Sequence, residues 1–340
     1  MTGAAGFIGS RVARALVDDG HDVVGVDVML PAAHGPGASL PPGCHRVDVR
    51  DGDALAPLLK DVDVVCHQSA MVGAGVDTAD APEYGSHNDF ATTVLLAQMY
   101  AAGCSRLVLA SSMVVYGQGR YDCPVHGPVD PLPRRHEDLD TGVFEHRCPL
   151  GDEELQWRLV GEDAPLRPRS LYAASKVAQE HYALAWAEAA QGSVIALRYH
   201  NVYGPGMPRD TPYSGVAAIF RSALEKGEPP QVFEDGAQMR DFVHVDDVAA
   251  ANVAAVNRVR FGGFVAANVC SGQPISIREV AEQLSQASGG PTSVLTGQYR
   301  SGDVRHIVAD PSHARDLLGF SARIDPQTGL QAFATAPLRH

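Results

Sequence analysis

Two residues whose types and spacing suit proton transfer, Tyr172 and Lys176, are four positions apart. They lie in the segment 170–190, whose Ala, Leu, Gln and Glu content favours a helix, so the two side chains project from one helical face. A free phenol, with a pKa of about 10, is a poor base at neutral pH, but a neighbouring ammonium favours the phenolate. The pair is therefore a candidate base for a hydroxyl proton. By itself, Tyr-x-x-x-Lys also fits an ordinary amphipathic helix with a core tyrosine.

A glycine-rich turn at the start of the chain predicts a dinucleotide site. Gly3, Gly6 and Gly9 are spaced G-x-x-G-x-x-G, and a helix beginning near Phe7 would point its N-terminus at a pyrophosphate. A β-branched strand over 23–26 ends at Asp27, which follows Gly9 by 27 − 9 = 18 residues. An acid at this distance accepts from a ribose 2′-hydroxyl and repels a 2′-phosphate, so the pattern predicts NAD rather than NADP. The cationic nicotinamide of such a cofactor would favour the Tyr172 phenolate further.

The strand that normally precedes such a turn is missing, because Met1 stands directly before Thr2. That strand is usually central in a parallel sheet and buried on both faces. We therefore expect the true start to lie upstream. The alternative is a chain that folds with a gap in its sheet and is less stable for it.

Strands alternating with helices predict an α/β fold with a doubly wound parallel sheet. A strand over 107–110 leads to Ser112, and a side chain at the carboxyl end of a parallel strand faces the ligand crevice. Asn88, near the start of a predicted helix, is either a ligand-side residue or a helix cap.

Composition narrows the possible classes of protein. The 340 residues are 45% hydrophobic, which indicates a globular chain, and the net charge of −13 argues against a nucleic-acid-binding protein. Neither an apolar run long enough to span a bilayer nor a signal peptide is evident, so no membrane association is expected. Six scattered cysteines predict reduced thiols and a cytoplasmic protein.

With these motifs in order, the chain resembles the extended short-chain dehydrogenase/reductases of the NAD-dependent nucleotide-sugar epimerase/dehydratase family. The resemblance implies a Rossmann NAD-binding domain over 1–200, a smaller nucleotide-sugar lobe over 201–340, and a homodimer formed through the helices near Asn88 and Tyr172. It assigns Ser112 a hydrogen bond in catalysis, and Lys176 the cofactor ribose. The segments that carry it are 2–9, Asp27, 67–70, 111–117, 172–176, 198–201 and 240–244.

The resemblance also assigns binding residues. For the cofactor they are Gly3, Gly6, Phe7, Ile8, Gly9, Asp27, Asp48, Val49, Ser69, Ala70, Met71, Asn88, Tyr172 and Lys176. For the nucleotide sugar they are Ser112, Asn201, Val232, Arg240, Arg300 and Arg305. The planar guanidinium suits paired phosphates better than an ammonium does.

One departure from the family narrows the reaction. Met113 and Val114 stand where 4,6-dehydratases of the family carry an Asp-Glu pair, and neither can transfer a proton. Dehydration is therefore not expected. The sequence predicts epimerisation of a nucleotide sugar at C4 through a transient 4-keto sugar. The alternatives are a one-way 4-ketoreductase and a non-catalytic NAD-binding sensor of the same fold.

An insertion over 118–168 carries three possible zinc ligands, Cys123, His126 and Cys148. Gly151 occupies the position where a fourth knuckle ligand would stand. The candidates to complete the set are Asp152, Glu153, His146 or a water, and the alternative is a decayed site. The insertion resembles that of dTDP-L-rhamnose 4-epimerases, which implies a dTDP-hexose such as dTDP-L-rhamnose as substrate.

Overall fold

A parallel sheet is the largest element of the computed structural model, which describes residues 1–35, 37–73, 78–209, 215–300 and 302–339. Its side chains are mostly Val, Ile, Leu and Ala, and all of Ser193–Tyr199 is buried, as expected for a sheet covered on both faces. From edge to edge its strands are Cys44–Arg46, Gly25–Asp27, Val65–His67, Arg106–Ser112, Ser193–Tyr199 and Gly263–Val269.

A single residue, Thr2, connects two neighbouring strands of the sheet. Thr2 forms parallel bridges to both Val26 and His67, and so joins the two halves of the sheet. The Val26 amide donates to the Met1 carbonyl at 2.8 Å, and the Thr2 amide donates to the carbonyl of Cys66 at 3.0 Å. Beyond Met1, a cavity of about 520 Å³ opens between the strand ends. Thr2 therefore joins strands Gly25–Asp27 and Val65–His67 near their carboxyl ends.

Helices cover both faces of the sheet, which confirms the doubly wound α/β fold. Phe7–Asp18, Val245–Arg258 and Ser312–Leu318 lie on one face, where Val12 and Leu16 pack with Ala251 in a buried cluster. Ala91–Ala101 and Leu171–Ala189, the helix that carries Tyr172 and Lys176, lie on the other face, where Leu95 packs with Ala183.

The smaller lobe has its own core of aromatic and aliphatic side chains. Its strands are Asn201–Tyr203, Met239–His244 and Pro274–Ser276 in one sheet, with Gln231–Val232 paired to Val294–Leu295, and its helices are Val216–Glu225, Ile277–Ser288 and Pro326–Phe333. Helix Val245–Arg258 and strand Gly263–Val269 return to the large sheet. The boundary predicted at residue 200 therefore does not separate two units that are each continuous in sequence.

The insertion forms a small antiparallel sheet of Gly127–Val129, Arg120–Cys123 and Gln156–Arg158, with a helix at His136–Asp140. The remaining short helical segments are Pro31–His34, Gly52–Leu55, Ala56–Leu59, Thr78–Asp80, Ala81–Tyr84, Gly85–Phe90 and Met113–Tyr116. None of the helices in the described ranges is both long enough and apolar enough to cross a membrane.

Candidate active site

The glycine turn is packed tightly against the end of the next strand. A Cβ atom on Gly3, whose φ is +65°, would lie 2.7 Å from the amide nitrogen of Ser69, and one on Gly9 would lie 1.9 Å from the Gly3 carbonyl oxygen. Gly6 is the N-cap of helix Phe7–Asp18 and offers no side chain to its free amides. The helix N-terminus is therefore open to an anion, as a dinucleotide pyrophosphate requires.

Asp27 lies beside this turn, and its carboxylate accepts hydrogen bonds from the protein itself. It accepts from the amides of Ala5 at 3.1 Å and Met29 at 2.8 Å, and it lies 3.3 Å from Nε2 of His34. Burial raises the pKa of Asp27, but the hydrogen bonds from His34, Met29 and Ala5 outweigh burial and leave that pKa below its ordinary value. The carboxylate is ionised at neutral pH, as the predicted contact to a ribose hydroxyl requires.

His34 and Arg339 are neighbours of this site that the sequence did not reveal. Arg339, near the end of the chain, donates to the carbonyl of Ala5 at 2.9 Å. Neither residue belongs to a motif that spacing along the chain would reveal. Arg339, for example, is 334 positions from Ala5. The other predicted cofactor residues here, Phe7 and Ile8, pack against the cores of the lobe and of the large sheet respectively.

Ser112, Tyr172 and Lys176 converge at the carboxyl end of the central strands. Ser170 caps helix Leu171–Ala189 by accepting from the Ala173 amide at 3.1 Å, so the helix starts just before Tyr172. The Ser112 side chain lies close enough to Tyr172 to lower the pKa of the phenol. Lys176 places Nζ 5.9 Å from the centre of the Tyr172 ring and donates to the Ala110 carbonyl at 2.9 Å. The trio predicted from sequence is therefore assembled by one helix and one strand.

The expected effect of Lys176 on the tyrosine is absent from the protein on its own. Burial raises the pKa of Tyr172 to about 12, although the hydrogen bond with Ser112 lowers it. Burial also lowers the pKa of Lys176 to about 7, against the opposing effects of Glu180 and Asp89. In the protein alone, burial therefore has the largest effect on the phenol, and the lowered pKa expected beside a bound nicotinamide stays a prediction.

Asn88 is fully buried in the π-helical segment Gly85–Phe90. Its Oδ1 accepts from the Met71 amide at 2.7 Å, and its Nδ2 donates to the Met71 carbonyl at 2.9 Å and to Ser175 Oγ at 2.8 Å. The side chain therefore fixes the loop that contains Ser69, Ala70 and Met71 to the residue next to Lys176. This is a positioning arrangement rather than a helix cap.

Arg198 and Glu180 form a buried ion pair beneath the trio. The sequence pointed to Arg198 only as part of the segment 198–201. Arg198 donates to Glu180 from Nε at 3.0 Å and from Nη2 at 2.7 Å, and Ser111 also donates to Glu180. Arg198 further donates to the hydroxyl of Tyr116 at 2.9 Å. These contacts join the strand ends to helix Leu171–Ala189.

Asp48 and Val49 lie at the edge of the sheet. Asp48 binds Arg50 at 2.6 Å, and Arg50 also donates to Ser86. Val49 is buried in the core beneath helix Ala91–Ala101. The Val49 side chain therefore packs inside the protein, and any contact it makes with an adenine comes from its backbone.

The residues assigned to the nucleotide sugar are not brought together as a set. All five N–H donors of Arg305 are taken by Glu145, Glu234 and Asp235. Arg240 donates to the carbonyls of Met239, Val304 and Arg305, and burial lowers its pKa to about 10.

Of the other four, Ser112 lies beside Tyr172, and Val232 is fully buried in the core of the lobe, so its side chain cannot face a base. Arg300 is exposed and lies 5.2 Å from the ring centre of Phe233. Asn201 has a buried Oδ1 with no partner among the described residues, so it remains a candidate ligand contact. The assignments of Arg305 and of the Val232 side chain are therefore corrected, because both are internal.

A doubly wound sheet with a glycine turn, an acid after the second strand, and a serine, tyrosine and lysine at the strand ends defines a short-chain dehydrogenase/reductase. The sequence profile of the NAD dependent epimerase/dehydratase family matches residues 1–147 and 150–269, and the chain belongs to that family.

Individual relatives span nearly the whole chain. A dTDP-L-rhamnose 4-epimerase of Burkholderia thailandensis is 32% identical, over 98% of this chain and 93% of the relative. A UDP-glucose 4-epimerase of Mycolicibacterium smegmatis is 31% identical, over 97% and 95%. Among solved structures, MoeE5 in complex with UDP-glucuronic acid and NAD superimposes with a TM-score of 0.76 at 32% identity, covering 98% of this chain and 96% of that one.

Proposed function

We propose that this protein is an NAD-dependent 4-epimerase of a nucleoside-diphosphate hexose. The observation that carries the proposal is the convergence of Ser112, Tyr172 and Lys176 next to a turn, Met113–Tyr116, that has no carboxylate. Such a site can move a proton on and off one hydroxyl. It lacks the second acid and base that elimination of water requires.

NAD, when bound, supplies a reversible acceptor for the hydrogen on C4 of the sugar. Tyr172 removes the proton from the 4-hydroxyl, and Ser112 holds the same oxygen by a hydrogen bond. Since the pKa of Tyr172 is about 12 in the protein alone, the phenol needs more positive charge than Lys176 provides. The charge of the bound cofactor is the natural source, which couples base strength to cofactor occupancy.

Epimerisation then requires the 4-keto sugar to present its other face. The chain must hold the nucleotide diphosphate while releasing the hexose ring, and Tyr172 must return the proton to the new hydroxyl. Asn201 is the predicted sugar contact whose buried amide oxygen has no partner among the residues that the structure describes. Since Arg305 is held internally, Arg300 and those N–H groups of Arg240 that bond none of the described residues are the better candidates for the diphosphate.

The substrate we propose is a dTDP-hexose such as dTDP-L-rhamnose. Its support is the similarity to the Burkholderia thailandensis relative, which carries that name. The Mycolicibacterium relative and MoeE5 are described with UDP-sugars, so UDP-hexoses are the competing class.

A substrate deuterated at C4 tests the reaction directly. An epimerase yields the 4-epimer with the label kept at C4, in water and without added NADH, as followed by mass spectrometry and proton NMR. A 4-ketoreductase instead consumes NADH stoichiometrically with a keto-sugar, and a dehydratase introduces solvent hydrogen. A protein that binds NAD but converts none of a panel of dTDP- and UDP-hexoses is a sensor, and this result overturns the proposal.

We also propose a homodimer formed through the helices that carry Asn88 and Tyr172. Its support is the exposure of large apolar side chains on these helices: Phe90 is 54% exposed, Tyr100 69% and Tyr182 45%. Light scattering should give twice the mass of the chain, and Phe90→Glu should give the monomer. Phe261→Glu, at an exposed phenylalanine elsewhere, is the control. The cytoplasmic location expected from the six cysteines stays a prediction.

A further inference from the structure

The insertion brings together four side chains that the proposed catalytic chemistry does not use. Cys123 ends strand Arg120–Cys123, and His126 lies in the turn before Gly127–Val129. Cys148 and Glu153 flank a second turn, closed by the Cys148 amide donating to the Glu153 carbonyl at 2.7 Å. One ligand atom from each of the four lies within 4.8 Å of every other.

The spacing of these atoms fits the edges of a tetrahedron around a zinc ion. Nδ1 of His126 lies 3.3 Å from Sγ of Cys123 and 3.5 Å from Sγ of Cys148. Glu153 Oε2 lies 3.6 Å from Sγ of Cys123 and 3.7 Å from the same His126 nitrogen. Zinc bonds of about 2.3 Å to sulfur and about 2.0–2.1 Å to nitrogen and oxygen give tetrahedral edges of about 3.3–3.8 Å.

The backbone also favours thiolate ligands at this point. The Val125 amide donates to Sγ of Cys123 at 3.4 Å, a contact that stabilises negative charge on the sulfur. Both cysteines are buried, at 3% and 4% exposure, whereas His126 and Glu153 close the cluster from the solvent side. A buried Cys₂His set with a carboxylate is a donor combination that zinc prefers.

Gly151 explains how Glu153 reaches the cluster. A Cβ atom at position 151 would lie 2.4 Å from one carboxylate oxygen of Glu153 and 2.8 Å from Cε1 of His126. Because Gly151 has no side chain, the Glu153 carboxylate can occupy the space in which the side chain of a ligand at position 151 would lie. The other candidates are engaged elsewhere: Asp152 binds Arg135 at 3.0 Å, and His146 lies between the Leu132 carbonyl and Gln118.

We propose that Cys123, His126, Cys148 and Glu153 bind a structural zinc ion. All four ligands come from the protein, so the site is closed and is not a catalytic zinc site. The ion would cross-link the hairpin to the turn 148–153 and tighten the small cluster of Tyr121, Cys123, Cys148 and Leu155.

The same sheet supports the lobe. The hydroxyl of Tyr121 accepts from the His306 amide at 3.2 Å, and Glu145 binds both Arg305 and His306. Loss of the metal is therefore expected to loosen the segment 304–306, against which Arg240 is held. The loss of the metal would therefore affect the lobe through segment 304–306, and not through Tyr172 or Lys176.

The test is zinc content of the full-length chain purified without a histidine tag. We expect one equivalent of zinc by elemental analysis, a lower Tm after removal with a strong chelator, and recovery with Zn²⁺ but not with Mg²⁺. Cobalt substitution should give the sulfur-to-metal charge-transfer band and intense visible bands of a tetrahedral thiolate site. These readouts do not depend on any epimerase activity.

Matched variants identify the ligands. Cys148→Ser should abolish zinc binding, whereas Cys104→Ser, at a buried cysteine elsewhere, should retain it. Glu153→Gln should weaken binding at least tenfold, and the neighbouring Glu154→Gln should not. The double variant Gly151→Cys, Glu153→Ala should retain the metal with a third thiolate and a stronger cobalt charge-transfer band. Should the folded chain contain no zinc and gain no Tm from Zn²⁺, or contain a Cys123–Cys148 disulfide, the proposal is wrong.

Discussion

The amide nitrogen of Asn88 lies 2.8 Å from the hydroxyl oxygen of Ser175, although the two residues are 87 positions apart. Ser175 adjoins Lys176, and Asn88 also holds both backbone groups of Met71. One buried amide therefore sets the distance between the loop after strand Val65–His67 and helix Leu171–Ala189. It controls the geometry of the site without being placed to react.

Asn88→Ala should leave the Met71 amide and carbonyl unpaired in a buried position. We expect a loss of about 1–3 kcal/mol in the free energy of unfolding, together with weaker NAD binding and a lower kcat. Denaturant titration and cofactor titration measure the two effects. Asn257→Ala, which removes an exposed hydrogen bond to Asp19, is the control and should change neither. A wild-type kcat in Asn88→Ala would contradict the positioning role.

Tyr172→Phe should lower kcat by about 10²–10⁴-fold, because it removes the group that transfers the proton. NAD affinity and the free energy of unfolding should change little, since phenylalanine keeps the ring that packs beside Tyr84 and only one hydroxyl is removed. Tyr182→Phe, at an exposed tyrosine on the same helix, should be fully active. If Tyr172→Phe keeps more than a tenth of the activity, another group is the base.

Lys176 should make stability depend on pH in the absence of NAD. Its pKa of about 7 in the folded protein lies below the unfolded value of about 10.4, so the unfolded chain binds more protons between these values. The penalty for the buried ammonium is fully present below pH 7 and is relieved as pH rises towards 10. Relative to Lys176→Met, the wild type should gain about 2 kcal/mol in the free energy of unfolding between pH 7 and 9.

Lys226→Met, at an exposed lysine, is the matched control for this experiment. Its free energy of unfolding should track that of the wild type across the same pH range. A constant difference between wild type and Lys176→Met at pH 7 and 9 would mean that the buried lysine keeps an ordinary pKa.

Arg305→Met distinguishes a structural arginine from one that binds a diphosphate. Its removal leaves Glu145, Glu234 and Asp235 facing one another without their shared cation, which should destabilise the fold by about 3–5 kcal/mol. Denaturation curves of this variant and of Arg315→Met, an exposed control, measure the effect. An unchanged Tm with a raised KM for the nucleotide sugar would instead restore the substrate contact predicted from sequence.

Asp27→Asn should lower the affinity for NAD by about tenfold, because a charged acceptor for the ribose hydroxyls becomes neutral. Affinity for NADP should fall less or rise, since the repulsion of a 2′-phosphate is removed. Isothermal titration with both cofactors measures the ratio, and the exposed Asp22→Asn is the control. An unchanged ratio of the two affinities would show that Asp27 does not face the ribose.

The sequence by itself determined the features that depend on short spacings. The glycine turn depends only on the positive φ of Gly3 and the close backbone contact at Gly9. One turn of helix is enough to bring the side chains of Tyr172 and Lys176 onto the same face. Alternating strands and helices determined the doubly wound sheet. Each of these follows from local backbone geometry, which neighbouring residues set.

Only the tertiary structure decided which side chains meet across distant segments. It placed Arg305 among three carboxylates rather than in a crevice, made Asn88 a link to Ser175, and brought Glu153 into the space left by Gly151. Burial, which only the packing of whole elements sets, also raises the pKa of Tyr172 in the protein alone. Burial and long-range contacts depend on how whole elements pack, and no spacing along the chain encodes that packing.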